Sequence, residues 1–139
     1  MGSVIHLEIP PRRDHLALVR GVITSAASIG HRLNQRRLED LRLAVSEACA
    51  NAIDGQERTG DTRPLEVHVE VEDHSIAVTI TDHAGGFVPD DLAALPSATD
   101  PGRLRHERGL GIPLMRSLAD DVRFTAADGG TAVRLELKF

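Results

Sequence analysis

Residues 41–55, LRLAVSEACANAIDG, decide how this chain is read. Leu41, Val45, Ala48, Cys49, Ala52 and Ile53 recur at helical spacing and form one apolar stripe. Glu47 and Asn51 stand four residues apart within it, which places both on one helix face, one turn from each other. Polar pairs at this spacing are common on solvated helix faces. The same pair also offers an amide oxygen and a carboxylate, hard ligands suited to Mg²⁺, and a carboxylate able to position a hydroxyl or water. These residues alone leave both readings open.

The pattern outward from this helix sets the architecture. Residues 4–9 (VIHLEI) alternate as a short strand, and PPRRD breaks it. Leu16, Val19, Val22, Ile23 and Ala26 give a first helix from about Asp14 to Ile29. The second runs from about Gln35 to Ile53, with Gly55 as its stop. LEVHVEVED and SIAVTITD alternate as a hairpin pair of strands. Residues 83–108 carry glycines and prolines without a long periodic element, apart from a short helix at PDDLAAL, and read as a functional loop or lid. LGIPLMRSLAD reads as a helix opening after Gly109 with Pro113 in its first turn, and DVRFTAA and TAVRLELKF as strands joined by DGG. The order β-α-α-β-β-lid-α-β-β predicts an α+β two-layer sandwich, helices on one face of a mostly antiparallel sheet. The 139 residues suit a single domain, 1–139.

Composition excludes several classes. The net charge of −5, with no Trp or Tyr and three Phe, leaves neither a basic footprint nor a stacking platform for nucleic acid. No apolar run approaches the roughly 20 residues that span a bilayer. The N-terminus lacks a signal-peptide pattern, and one cysteine cannot make an internal disulfide, so a cytoplasmic location is expected. Seven histidines invite a metal reading, but His68, His74 and His83 lack the usual ligand spacings, and no zinc site is expected. Cys49, between Ala48 and Ala50, reads as a small core residue. All basic residues are arginine except Lys138, so any cationic phosphate contact falls to Arg.

Two further spots lie at element boundaries. Asp82, in ITDHAGGFVP, is an acid at a strand end followed by glycines, which suits either a plain turn or a ligand approached by backbone. RGLGIPLM, residues 108–115, places glycines before a helix, either as an ordinary helix start or as a cradle for phosphate.

In order and spacing these stretches resemble the GHKL superfamily of gyrase, the heat-shock chaperone, histidine kinases and the mismatch-repair ATPase. They most resemble its small anti-sigma-factor serine kinases of bacterial partner switching. LRLAVSEACANAIDG resembles the N box, ITDHAGGFVP the G1 box, ERGLGIPLMRSLADDVRF the G2 box and GGTAVRLEL the closing Gly-Thr strand. The resemblance implies the Bergerat-type ATP-binding fold over about residues 4–138, with ATP and Mg²⁺ as cofactors. It implies Glu47 as base, Asn51 as Mg²⁺ ligand and Asp82 as acceptor of the adenine amino group. It implies Gly86, Gly109 and Gly111 as loop glycines, Thr131 beside adenine, and Arg105 or Arg108 neutralising phosphate charge from a lid at 87–108. The implied partners are an anti-anti-sigma protein as substrate and a sigma factor, with the chain a homodimer. Two departures stand out. Ala84 replaces the first glycine of Asp-x-Gly-x-Gly, and Asp54 stands where related kinases often carry His. Asp54 would add negative charge near phosphate unless a metal, Arg105 or Arg108 offset it. These departures motivate one alternative, a nucleotide-dependent switch with little turnover; a further alternative is a relative that activates a downstream phosphatase.

Overall fold

The computed structural model describes residues 2–29, 33–85 and 107–139. Five strands form one antiparallel sheet: β1 (Ser3–Ile9), β2 (Leu65–Val71), β3 (Ser75–Thr81), β4 (Asp121–Ala127) and β5 (Gly130–Lys138). Their spatial order is β1-β2-β3-β5-β4. Three helices, α1 (Leu16–Ala27), α2 (Gln35–Thr59) and α3 (Glu107–Leu118), cover one face. The α+β sandwich is as expected. The lid and its short helix at PDDLAAL lie outside the described residues.

Strand alternation explains the single core. Leu65, Val67 and Val69 of β2, Ile76, Val78 and Ile80 of β3, and Leu135 and Leu137 of β5 point inward and are buried. Leu41, Val45, Cys49 and Ile53 of α2 meet them, with Ile23 of α1 and Met115 of α3. Among the described residues, no helix is long and apolar enough to cross a membrane.

α2 runs further than its apolar stripe. Asn34 caps its start, its side chain accepting from the Arg37 N–H at 2.8 Å. Its end is not Gly55, which is buried inside the helix, but Gly60, whose φ of 72° is the left-handed C-terminal signature. The extra turn carries Gln56, and this turn reaches the candidate site. α3 also differs from expectation. It begins at Glu107, so Gly109 and Gly111 lie within the helix and Pro113 sits in its second turn. Pro113 has no N–H to give the carbonyl four residues back, so the hydrogen-bond ladder is interrupted at Gly109.

Candidate functional site

The C-terminal half of α2, the end of β3, the start of β5 and α3 enclose an open cleft. Asn51, Asp82 and Thr131 line it together, with Ile80, Met115 and Phe124 giving an apolar wall. A small-molecule site has this make-up, mostly apolar with few convergent polar groups. Glu47 is half-buried one turn before Asn51, about 6 Å back along the axis, and is not among the lining residues.

Asp82 follows the last residue of β3 and is held in place by backbone. Its N–H donates to the Thr131 carbonyl at 2.9 Å, extending the β3–β5 ladder by one residue. Its Oδ1 accepts from the Ala84 N–H at 3.0 Å and the Thr131 N–H at 3.2 Å. Among the described residues Oδ2 has no hydrogen-bond partner, so one oxygen orients the carboxylate and the other is left as an acceptor. The left-handed residue of this turn is Gly85, φ 75°, whose N–H donates to the Gly129 carbonyl at 2.7 Å. The turn thus takes its glycine one place after Ala84, which donates to Asp82 instead.

Thr131 is 2% exposed, and its Oγ1 is buried with no hydrogen-bond partner among the described residues. A buried hydroxyl normally finds a partner. An orphaned hydroxyl beside a carboxylate with one open oxygen fits the edge of a purine bearing both donor and acceptor atoms. ATP therefore fits the residues present.

Two residues make this corner possible: Gly130, given no role of its own within the closing Gly-Thr strand, and Gln56, which sequence reasoning missed. Gly130 brings β5 so close that a Cβ there would overlap the Asp82 carbonyl oxygen and lie 2.7 Å from its carbon. Both obstacles are backbone, so neither can swing aside. Gln56 is wholly buried. Its Nε2 donates to the carbonyls of Asp61 at 3.1 Å and Arg63 at 2.8 Å, and its Oε1 accepts from the His83 N–H at 2.9 Å. One amide thereby ties the α2–β2 loop to the residue after Asp82. Its only signal in the sequence was a polar residue one turn beyond the last apolar position of α2.

Charge around α2 also differs from expectation. The Asp54 carboxylate accepts from Arg13 at 2.6 Å, so its described counterion comes from the turn before α1. Arg105 and Gly86 lie outside the described residues, as does the side chain of Arg108. Among the described residues, the cation lining the cleft is Arg58. Cys49 is fully buried, and burial pushes its thiol up to about 12, which rules out a nucleophilic thiolate near neutral pH.

The sequence matches the histidine kinase-like ATPase domain over residues 9–137. The chain belongs to the histidine kinase-like ATPase family. Its relatives include the serine-protein kinase RsbW of Bacillus pumilus, 31% identical over 136 residues, covering 93% of this chain and 82% of the relative. The anti-sigma F factor of Bacillus velezensis is 29% identical over 138 residues, covering 97% and 92%. The crystal structure of the RsbU and RsbW domains of a Mycobacterium tuberculosis protein superposes with a TM-score of 0.68 at 15% identity. It covers 97% of this chain, and this chain spans 32% of that longer one; the likeness is one of fold. The matched region takes in Asn51, Asp82 and Thr131, which line the cleft.

Proposed function

We propose that this chain is a cytoplasmic ATP- and Mg²⁺-dependent protein serine kinase and anti-sigma factor, which phosphorylates an anti-anti-sigma partner and in another state binds a sigma factor. Relatives named serine-protein kinase RsbW and anti-sigma F factor support the class of activity. The observation that carries the reading is the adenine corner: Asp82 with one oxygen fixed by two backbone N–H groups, beside the orphaned Thr131 hydroxyl.

In this reading Asp82 accepts from the adenine amino group and repels the carbonyl that guanine places there. Asn51 supplies an oxygen to Mg²⁺, which neutralises phosphate charge when bound with the nucleotide. Glu47, one turn beyond Asn51 and away from the base, orients the substrate serine hydroxyl and accepts its proton. The first N–H groups of α3 have no partner within the helix, and the absence of a Cβ at Gly109 and Gly111 lets phosphate oxygens approach them, with Arg105 and Arg108 as cations. Asp54, paired with Arg13 and not among the residues lining the cleft, weighs less for the low-turnover alternative than Ala84 does.

The test is transfer of label from γ-labelled ATP to a candidate partner, with binding measured on the same preparations. Glu47→Gln should keep ATP binding and lower transfer by roughly 10²–10⁴. Asn51→Ala should weaken Mg²⁺-dependent binding and affect magnesium-free nucleotide less. If both variants bind and transfer like the parent, the assignment fails. Binding without transfer in the parent would favour the switch, and capture of a phosphatase instead of a sigma factor from the source cell would favour the phosphatase activator.

A further inference from the structure

The face of the sheet opposite the helices carries a cluster none of whose residues lines the cleft. β1 and β2 are antiparallel neighbours, with β1 at the sheet edge. Their register sets His6 opposite His68 and Glu8 opposite Glu66. Alternation sends these four side chains outward, because Leu7 and Val67 between them belong to the core side. One ligating atom from each of His6, Glu8 and Glu66 lies within 4.8 Å of the other two. His68 is turned along its own strand, its Nε2 at 3.7 Å from Glu70.

Directly opposed carboxylates on a sheet repel, and a sheet normally places a cation there. Among the described residues, neither Glu8 nor Glu66 has an ion pair or a hydrogen bond. The uncompensated pair stands beside an imidazole, a neutral donor that adds no repulsion when deprotonated. Zinc bonds imidazole nitrogen and carboxylate oxygen at about 2.0–2.2 Å, which puts tetrahedral ligands about 3.4 Å apart. The 4.8 Å spread exceeds this by about 1.4 Å, a gap for turns of the two exposed side chains and the half-exposed Glu66 to close.

We propose that the outer face of β1 and β2 binds a divalent transition-metal ion through His6, Glu8 and Glu66, with water completing the coordination. The imidazole selects zinc and its first-row neighbours over Mg²⁺ and Ca²⁺, which prefer all-oxygen sites. The ion would bridge the edge strand to β2 and remove the Glu8–Glu66 repulsion. The site shares no residue with the nucleotide cleft, and Glu66 lies across β2–β3 from Thr81, which precedes Asp82. The histidines could not reveal it by spacing, because the three ligands come from two strands 58 positions apart at their opposed glutamates, 8 and 66.

The test uses tag-free, nucleotide-free full chain, so that no cation held with phosphates enters. Titration with Zn²⁺ by calorimetry should give one saturable site, and Zn²⁺ should raise the melting temperature. Co²⁺ in its place should give visible absorption from a site of low coordination number. His6→Ala and Glu8→Gln should each weaken Zn²⁺ by roughly tenfold or more, since even loss of an outer partner of a ligand costs that much. Their metal-free melting should stay near the parent's, and for Glu8→Gln rise, because the repulsion is gone. His74→Ala serves as the control and should leave the site intact. Unchanged Zn²⁺ affinity in both His6→Ala and Glu8→Gln overturns the proposal, as does an equal loss in His74→Ala. Saturation by Mg²⁺ with the same affinity would overturn the assignment of metal class.

Discussion

Replacing Thr131 with Val should move stability and nucleotide affinity in opposite directions. The Thr131 backbone makes both of its bonds to Asp82 through N–H and C=O, which the substitution leaves in place. Only the hydroxyl is lost, and in the free protein that hydroxyl is buried without a partner. An unsatisfied buried polar group costs about 1–3 kcal/mol, and Val suits a strand at least as well as Thr. A gain of about 1 kcal/mol is expected, or a rise of roughly 2–6 °C in melting temperature for a domain of this size. If nucleotide supplies the missing partner, ATP binding loses one neutral hydrogen bond of about 0.5–1.5 kcal/mol, a roughly two- to tenfold weaker Kd. Scanning fluorimetry without nucleotide and calorimetry with Mg²⁺-ATP read the two effects on one preparation. Thr131→Ser, which keeps the hydroxyl, should keep the affinity. A Val variant that melts lower and binds ATP like the parent would refute the reasoning, because the hydroxyl would then be serving the free fold.

Gln56→Leu should cost about 3 kcal/mol, since three bonded backbone groups lose their partners at about 1 kcal/mol each, and urea unfolding reads this directly. ATP affinity should fall with it, because the His83 N–H next to Asp82 is released. Cys49 should resist a thiol reagent at pH 8 in the folded protein and react on unfolding, with burial holding its thiol near about 12; fast labelling under native conditions would contradict that burial. Arg13→Ala should change stability by less than about 1 kcal/mol, as exposed pairs do, yet weaken ATP by leaving Asp54 uncompensated. Adding Asp54→Asn should restore the affinity, and a double-mutant cycle with no coupling in ATP binding would separate this pair from the phosphates.

The elements legible in the sequence were those whose signal is local. β2 and β3 alternate cleanly, and their observed bounds, Leu65–Val71 and Ser75–Thr81, sit within the stretches read as strands. The end of α2 was misjudged because Gly55 and Gly60 are equal stop signals in a sequence, and only packing shows that Gly55 is buried while Gly60 turns left-handed. The start of α3 was misjudged for the same kind of reason, two glycines outweighing Glu107 as an opening residue. At the site, Asp82 and Asn51 stood out as polar residues at telling positions. Gln56 did not, because its partners are backbone atoms up to 27 residues away and backbone carries no sequence signature. Arg13 and Asp54 are separated by 41 positions, and the β1–β2 cluster by more, so nothing periodic joins them.

These long-range bonds also explain why the base end of the cleft is rigid. Turning the Asp82 carboxylate would break two bonds to backbone N–H groups, one in the adjacent strand and one in its own turn. Moving that strand away is opposed by the Asp82–Thr131 ladder bond, and moving the turn is opposed by Gln56 and by the Gly85–Gly129 bond. The open oxygen and the orphaned hydroxyl are therefore held before any nucleotide arrives, and binding does not have to order them. Selectivity follows from the same fixity. A mobile carboxylate could swing from a guanine carbonyl, whereas one locked by two N–H donors would face it, and acceptor would meet acceptor. The residue that permits this closeness is Gly130, where the strand passes the Asp82 backbone with no room for a Cβ. In the proposed reading, base recognition is accordingly a property of two strand ends pressed together, with Gln56 as the part of that frame that lies outside the motifs.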